Sequence, residues 1–255
     1  MRTKLNVDNP YGYNRYGFAW EHVPEGGAAH LDFGCGDGRF LAALKTKGTS
    51  RLVGVDVHRE AVEKCRQQFG EPEFLHISQA GALPFADGEF SSVTALDVIE
   101  HIDRQEAVLA ELNRVLRRDG VLIVTVPGRH LFSCLDAGNL KFRFPRLHRR
   151  HYCRKHSKTE YEQKYVSNPD GLVGDVSARK RWHEHFSRKK LAAILEQCGF
   201  EVVGFDGSGF FYRVIKGVSF LVGRPRALQS FFARIEAIDA RLFESANVFC
   251  VARKR

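Results

Sequence analysis

The sequence predicts an α/β fold built on a doubly wound, mostly parallel sheet. Short apolar runs alternate with segments of helical spacing from residue 28 to residue 127, and the alternation resumes at residue 187. The run 121–126 is continuously apolar, as expected of a parallel strand that is buried on both faces. This alternation is typical of βαβ units, in which helices cover both faces of one sheet.

Each element is predicted from its own local pattern. We predict strands at 28–33, 52–55, 74–78, 92–96, 121–126, 200–205 and 247–252. We predict helices at 39–45, 59–69, 105–116 and 190–198. Asp119–Gly120 is expected to stop the third of these helices. Ser187 is a suitable N-cap for the last helix, and Gly199 suits the position just after it.

Composition narrows the class of protein further. The chain has 255 residues and 44% hydrophobic content, which indicates one α/β domain with insertions. Its formal net charge of +9 indicates an acidic partner or surface. Its six cysteines show no paired spacing, which predicts free thiols in a reducing cytoplasm. We expect neither a secretory signal nor a membrane-spanning helix, because no apolar run has the required length or position.

The most informative motif joins the first two predicted strands. Asp32 ends the first strand and precedes the glycine pattern 34–38, in which Gly34, Gly36 and Gly38 alternate with other residues. Asp56 ends the next strand, where a carboxylate suits the two hydroxyls of a ribose. Because Asp32 would repel a pyrophosphate, the motif favours an adenosyl cofactor that carries positive charge and no phosphate. S-adenosylmethionine has these properties.

Further segments carry a family resemblance. The matching stretches are 30–38, 53–56, 79–90, 95–101 and 112–127. On these residues the chain resembles the class I S-adenosylmethionine-dependent methyltransferases, in particular the subgroup that includes ubiquinone-biosynthesis-type enzymes (methyltransferase type 11). The resemblance implies a Rossmann-like seven-stranded sheet of order 3-2-1-4-5-7-6, with strand 7 antiparallel and insertions after strands 5 and 6.

The resemblance also implies roles for particular residues. S-adenosylmethionine would bind along the carboxyl edge of the sheet and leave as S-adenosylhomocysteine. The amino-acid end of the cofactor would contact Asp32, Gly34, Cys35, Gly36 and Gly38. The ribose would contact Asp56 and Val57, and the adenine would contact Gln79 and Ala80. The methionine portion would contact Asp97 and Val98. Gln79 departs from the family, since many relatives carry Asp there. Tyr11, Arg15 and Tyr16 either close over the carboxylate of the cofactor or belong to a helix packed on the core.

Three histidines are candidates for a general base. His101 follows the fourth strand and would face the reacting centre, or it orients the loop structurally. His183 and His185 precede the last helix, where each could act as a base, line the pocket or cap the helix.

Two insertions interrupt the periodic pattern. The first, residues 128–181, is basic, with nine Lys or Arg against two Glu between 141 and 164. It is either a solvated loop or a lid that recruits an anionic acceptor, through Arg149, Arg150 and Arg154. The motif His148-x-x-His151-x-Cys153-x-x-His156 lies among these cations, so we expect no metal site there. The second insertion, residues 209–243, is rich in aromatic and basic residues and would cover a pocket, form a dimer face or contact a membrane.

The sequence therefore predicts an S-adenosylmethionine-dependent methyltransferase, O-directed, acting on a small-molecule, lipid-linked or glycan acceptor. One alternative is a nucleic-acid methyltransferase, suggested by the charge. Residues 97–100 lack the Asn-Pro-Pro-aromatic platform of amino-directed enzymes of that class, so nucleic acid is the less favoured partner. Another alternative is a non-catalytic protein that binds the cofactor. The oligomeric state is left open.

Overall fold

A computed structural model describes residues 14–129, 144–166, 184–209 and 247–255, together with residues 211, 214–215, 231–232, 234–235 and 238–239. Tyr11, His183 and most of the second insertion lie outside the described residues, so the expectations placed on them stay predictions.

Seven strands form one sheet at the centre of the molecule. They are β1 (Ala29–Phe33), β2 (Arg51–Asp56), β3 (Glu73–His76), β4 (Phe90–Leu96), β5 (Leu116–Pro127), β6 (Phe200–Ser208) and β7 (Asn247–Lys254). Their order is β3-β2-β1-β4-β5-β7-β6, and β7 runs antiparallel to both of its neighbours. The predicted fold class and strand order are confirmed.

Helices flank the sheet on both faces. They are α1 (Arg15–His22), α2 (Arg39–Ala43), α3 (Arg59–Gln68), α4 (Gln105–Val115), α5 (Pro145–Tyr152), α6 (Lys158–Tyr165) and α7 (Arg188–Gln197). Short 3-10 turns follow α2 at Leu44–Lys47 and β4 at Ile99–His101.

The two apolar faces of the sheet contact different helices. One core cluster joins strand residues such as Leu31 and Val53 to Leu109 of α4 and Leu195 of α7. The other cluster packs Phe18 of α1 with residues of α2 and α3 against the opposite face. Because side chains alternate along a strand, this second face also receives the side chains that neighbour Leu31 in β1.

The third predicted helix ends earlier than its stop signal indicates. α4 ends at Val115, and Leu116 is already extended and pairs with Phe90 of β4. The strand pairing therefore begins before Asp119, whose positive φ of 60° belongs to an irregularity within β5 rather than to a helix end.

The first insertion contains two helices where the sequence indicates little periodicity. α5 begins with Pro145, whose fixed φ suits the first helical position. α6 begins with a capping box, in which Ser157 accepts from the backbone N–H of Glu160 and the Glu160 carboxylate accepts from that of Ser157. Local signals at the first turn, a proline in α5 and a capping box in α6, thus mark two short helices that a search for long apolar periodicity does not detect.

The stems of both insertions are fixed at the carboxyl edge of β5. Gly128 pairs with Phe186, so the chain leaves and re-enters the first insertion at one place. Ser208 pairs with Asn247, and Asn247 in turn pairs with Pro127. Among the described residues, no helix has the length and apolar composition needed to cross a membrane.

Candidate active site

The glycine pattern forms the connection between β1 and α2. Gly34, Gly36 and Gly38 all have positive φ, a conformation that other residues adopt only with strain. At Gly34 the space is closed as well, because a Cβ atom there would lie 2.4 Å from a methyl group of Val98. At Gly36 a Cβ atom would meet nothing within 4 Å. The loop therefore packs on Val98 and leaves open space over Gly36, where a ligand could approach the backbone.

Asp56 ties this loop to the end of β2. Its Oδ2 accepts the backbone N–H of Gly36 at 2.9 Å, and its Oδ1 accepts that of His58 at 2.9 Å. Each carboxylate oxygen retains a second lone pair, so Asp56 can still accept from the two hydroxyls of a ribose. Val57 follows at the strand end, and its carbonyl lies 3.1 Å from Nε2 of His76.

Asp32 is a buried carboxyl at the end of β1. Burial raises the pKa of this group to about 7, and the charges of Asp56 and Asp37 act in the same direction. The Thr94 hydroxyl donates to Asp32 at 2.7 Å and opposes the increase. A positively charged ligand beside Asp32 would favour its ionised form, so the site is electrostatically suited to a cation.

A chain of hydrogen bonds leads from Asp32 into the sheet. Because Thr94 donates to Asp32, its oxygen accepts from Nε2 of His30, 3.0 Å away. Nδ1 of His30 then accepts from the hydroxyl of Ser92 at 2.8 Å. Burial lowers the pKa of His30 to about 3, which keeps the ring neutral. The chain fixes the tautomer of His30 and the direction of the Thr94 hydroxyl, and so orients Asp32.

Asp97 follows β4 in a left-handed conformation, with φ of 56°. Its backbone N–H and its carboxylate both bond to the Thr125 side chain, and its carboxylate pairs with Arg15 at the start of α1. Burial lowers the pKa of Arg15, but Asp97 and Tyr16 outweigh it and the net change is upward. Asn14 caps α1 through the N–H groups of Tyr16 and Gly17.

The amino-terminal helix packs on the core, as one of the two alternatives expects, whereas closure over the carboxylate of a cofactor stays a prediction. α1 packs on the core through Phe18, while Arg15 and Tyr16 face the carboxyl edge. A cavity of about 250 Å³ opens there. Its lining consists of Asn14, Arg15, Tyr16, Asp97, Ser208, Asn247 and Phe249. This cavity borders Asp97 and is a candidate space for the reacting groups.

The residues predicted for adenine lie in the connection after β3. The N–H of Ile77 donates to the carbonyl of Asp56 at 3.0 Å, which extends the pairing with β2 towards Gln79. Gln79 is exposed, and Ala80 packs in part against the core. Gln79 therefore follows β3, which neighbours β2 on the side away from β1.

His101 lies in the 3-10 turn that follows Asp97. Its Nε2 is 3.9 Å from a carboxylate oxygen of the buried Glu100. Gln105 holds this turn in place, because its side-chain amide donates to the carbonyl of Ile99 at 3.2 Å and to Glu184 at 2.9 Å. The turn with His101 is thereby linked to the segment in which the chain returns from the first insertion.

His185 lies in that return segment, directly before Phe186. Phe186 exchanges backbone hydrogen bonds with Pro127 and Arg129 at the end of β5. The fold thus brings the segments of His101 and His185 to the same edge of the sheet. The predicted N-cap Ser187 is confirmed, since its side chain accepts from the N–H of Lys190.

The basic residues predicted to recruit the acceptor lie on α5 and just after it. Arg149 pairs with Glu162 of α6 at 2.5 Å, whereas Arg150 and Arg154 are exposed. His148 points to α6, where its ring lies 4.8 Å from that of Tyr165. His151 is exposed instead. Within the described part of the chain, no three His, Cys, Asp or Glu side chains converge as metal ligands.

Residue-based reasoning missed the hydrogen-bond partners that support the acidic groups. His30, Ser92, Thr94 and Thr125 are buried polar residues on strands that read as apolar. A signal existed, because Ser92 and Thr94 alternate with Val93 and Ala95 and so share one face of β4. Their partner on β1 depends on the pairing register of β1 and β4, which a single sequence does not reveal.

Taken together, the loop fits the predicted ligand class. Open space over Gly36, spare acceptor capacity on Asp56 and the raised pKa of Asp32 suit an adenosyl group with a positive charge nearby. The same observations disfavour a pyrophosphate, which would meet these carboxyls directly.

Comparisons with known proteins agree with this chemistry. A family model described as "Methyltransferase domain" matches residues 31–124. An O-methyltransferase of Aspergillus nomiae, rstn1, is 28% identical over 69% of this chain and 65% of its own length. The ubiquinone/menaquinone biosynthesis C-methyltransferase UbiE of Geotalea uraniireducens is 33% identical over 40% of this chain and 47% of its own. The chain thus spans less than two thirds of these curated relatives.

The fold is also shared with solved structures. A crystal structure of an S-adenosylmethionine-dependent methyltransferase from Methanosarcina mazei matches with a TM-score of 0.55 at 18% identity. The match covers 92% of this chain and 96% of the other. This similarity shows a common fold.

Proposed function

We propose that this chain, which carries a class I S-adenosylmethionine-dependent methyltransferase domain, transfers a methyl group to a hydroxyl oxygen of a small-molecule, lipid-linked or glycan acceptor. The observation that carries the proposal is the arrangement of Asp32, the Gly34–Gly38 loop and Asp56 at one end of the sheet. The name of the Aspergillus relative supports the choice of oxygen over nitrogen or carbon.

S-adenosylmethionine is the cofactor of this domain, and when bound it supplies a methyl group on a positively charged sulfur. Asp56 would hold the ribose hydroxyls, and the backbone of the 34–38 loop would line the amino-acid end. Asp32 would balance positive charge, with Thr94 keeping its carboxylate in position. Gln79 and Ala80 would border the adenine, while Asp97 and Val98 would border the methionine portion.

The chain's own contribution to transfer is to position the acceptor and to remove its proton. Methyl transfer from a sulfonium has a good leaving group, so alignment of the acceptor supplies most of the acceleration. The imidazole of His101 takes the hydroxyl proton as the oxygen attacks. Gln105 keeps the His101 turn against Glu184, and this link positions the base relative to the returning chain. His183 and His185 are the second candidates for the base.

An anionic acceptor suits the charge of the first insertion. Arg150 and Arg154 are exposed and could attract such a molecule, and Arg149 contributes charge from its pair with Glu162. We place the reaction in the cytoplasm, because five cysteines in the described residues are free thiols.

The test of the reaction is transfer of a labelled methyl group from S-adenosylmethionine into fractionated cell extract, followed by mass spectrometry of the product. A labelled fraction whose product carries a methyl ether or ester supports O-transfer. A methylated amine or carbon would overturn the choice of oxygen. Tight cofactor binding without any labelled fraction would indicate a non-catalytic binding protein instead.

The role of His101 is tested with His101→Gln in the same assay. Removal of a general base lowers turnover by about 10²- to 10⁴-fold, while the affinity for the cofactor stays unchanged. His22→Gln is the matched control, since Nδ1 of His22 contacts only the Phe18 carbonyl of its own helix in the bonds described. Wild-type turnover in His101→Gln with the cofactor bound would exclude the base role.

A further inference from the structure

The hairpin formed by α5 and α6 partly covers one face of α5 and exposes the other. His148 and Tyr152 of α5 pack against Tyr161 and Tyr165 of α6, with the rings of Tyr152 and Tyr161 5.7 Å apart. Tyr161 is only 2% exposed. This aromatic contact holds the two helices together, so the inner face of α5 is already occupied.

The outer face of α5 carries exposed apolar side chains. Leu147 is 66% exposed, and Phe144, which precedes the helix, is 49% exposed. Phe144 is the N-cap residue of α5 and stands three positions before Leu147, so both belong to the beginning of the helix. Exposure of large apolar side chains to water is unfavourable, and it is relieved when another apolar phase covers them.

Exposed cations lie in the same segment. Arg146 and Arg150 are about one turn apart on α5, Arg154 follows in the turn after the helix, and all three are exposed. Neither glutamate of the hairpin neutralises them, because Glu162 pairs with Arg149 and Glu160 is engaged with Ser157 in the capping box. We call the surface made by Phe144, Leu147, Arg146, Arg150 and Arg154 the α5 patch.

We propose that the α5 patch docks this protein on an anionic lipid surface. Phe144 and Leu147 enter the headgroup region, and the three arginines contact the lipid phosphates. An apolar pair accompanied by cations is the composition expected of an interfacial helix. Single-stranded nucleic acid would use the arginines and could stack a base on Phe144, but it would leave the aliphatic Leu147 in water, so a lipid surface is favoured.

The position of the hairpin in the chain indicates which part of the protein docking would tether. The chain enters and leaves the first insertion beside the pairing of Gly128 with Phe186, at the carboxyl edge of the sheet. A protein held to a lipid surface by this insertion keeps its carboxyl edge tethered to that surface. This inference differs from the sequence-based expectation, which assigns membrane contact to the second insertion, and it does not depend on the proposed methyl transfer.

The test is co-sedimentation with vesicles of phosphatidylcholine containing 30% phosphatidylglycerol, compared with vesicles of phosphatidylcholine alone. The phosphatidylglycerol supplies the negative surface charge of an anionic leaflet. We expect binding to the anionic vesicles only, and a loss of binding as salt is raised. Absence of binding to anionic vesicles at low salt would overturn the inference.

Variants assign the binding to the α5 patch. Replacing Arg146, Arg150 and Arg154 together by Gln should weaken partitioning roughly a hundredfold, and Leu147→Ser about tenfold. The matched controls are Gln at the exposed Lys64, Arg117 and Arg118, and Val203→Ser, since Val203 is 56% exposed on β6. Both controls should bind as the wild type does. Equal binding by the patch variants would overturn the inference.

A second experiment distinguishes a lipid partner from a nucleic-acid partner. A single-stranded RNA of mixed sequence is titrated against the wild type and against Leu147→Ser. If RNA binds more tightly than the anionic vesicles, and if Leu147→Ser leaves that binding unchanged, the α5 patch is a nucleic-acid surface and the inference fails. Unchanged melting temperatures of the variants show that they are folded.

Discussion

Asp32 lies at the end of a buried hydrogen-bond chain, and its pKa of about 7 affects ligand binding directly. Below this pH the carboxyl is protonated and offers no negative charge to a cation. A sulfonium or an ammonium bound beside it, as we propose, would favour ionisation, so such a ligand would displace a proton. Affinity and proton release would then be linked at this residue.

We expect the affinity for S-adenosylmethionine to increase as pH rises from about 5 to about 7, by up to about tenfold per pH unit. The increase should level off above the pKa of Asp32. Isothermal titration calorimetry in buffers of different ionisation enthalpy measures both the affinity and the number of protons released. The affinity of Asp32→Asn should be weaker and independent of pH over this range.

Glu60→Gln is the control for this experiment, because Glu60 is an exposed acidic residue in the first turn of α3. That variant should keep the pH dependence of the wild type, whereas Asp37→Asn should shift it to lower pH, since the charge of Asp37 raises the pKa of Asp32. A wild-type affinity that does not change between pH 5 and 7 would contradict the link between Asp32 and the cofactor.

The acidic and glycine residues of the loop could be selected from the sequence, because the role proposed for each depends on its own side chain or backbone. Their supporting partners could not. His30 and Thr94 are 64 positions apart, and their contact depends on the register of β1 against β4. Arg15 could be named, but its pairing with Asp97 requires the orientation of α1, which no local pattern determines.

Among the elements, all seven strands were located, because buried strands are apolar runs, but β5 begins at Leu116, five residues before its predicted start. The ends of the four predicted helices lie within two residues of the observed ends. α4 ends at Val115 because Leu116 pairs with Phe90, and this long-range pairing precedes the local stop signal at Asp119. α5 and α6 were missed because they are short and are held by the capping box of α6 and by ring contacts between the two helices rather than by a long apolar stripe.

The capping box of α6 makes a separate prediction. Ser157→Ala removes the acceptor for the N–H of Glu160 and should destabilise the helix by about 1 kcal/mol. Hydrogen exchange measured by mass spectrometry should become faster for amides of residues 158–165, with little change in the central strands. Ser157→Thr retains the hydroxyl and should exchange like the wild type. Uniform acceleration across the whole chain would show that the cap acts on global stability instead.

At the scale of the whole molecule, Asp32 and His30 act on stability in opposite directions. The raised pKa of Asp32 contributes stability at low pH that is lost as pH rises from 3.8 to about 7. The lowered pKa of His30 contributes stability above pH 6.5 that is lost as pH falls towards about 3. Between about pH 4 and 6.5 the two dependences oppose each other, so the pair as a whole changes stability little.

We therefore expect Asp32→Asn to reveal the pH dependence of stability that is due to His30. Without the cofactor, its free energy of unfolding should increase from pH 4.5 to 6.5 relative to that of the wild type, approaching a full difference on the order of 4 kcal/mol near pH 7. His30→Gln should show the opposite trend. Urea unfolding at several pH values measures both. Parallel curves for the three proteins would mean that neither group titrates as described.

The stems of the two insertions have a consequence for how this protein can diversify. Pro127 pairs with Asn247, Asn247 with Ser208, and Gly128 with Phe186, so each insertion is a closed excursion that starts and ends at one corner of the sheet. The entropy cost of closing such an excursion grows by only about 0.6 kcal/mol for each doubling of its length. We therefore expect either insertion to tolerate changes of length and sequence while the Asp32–Asp56 half is retained.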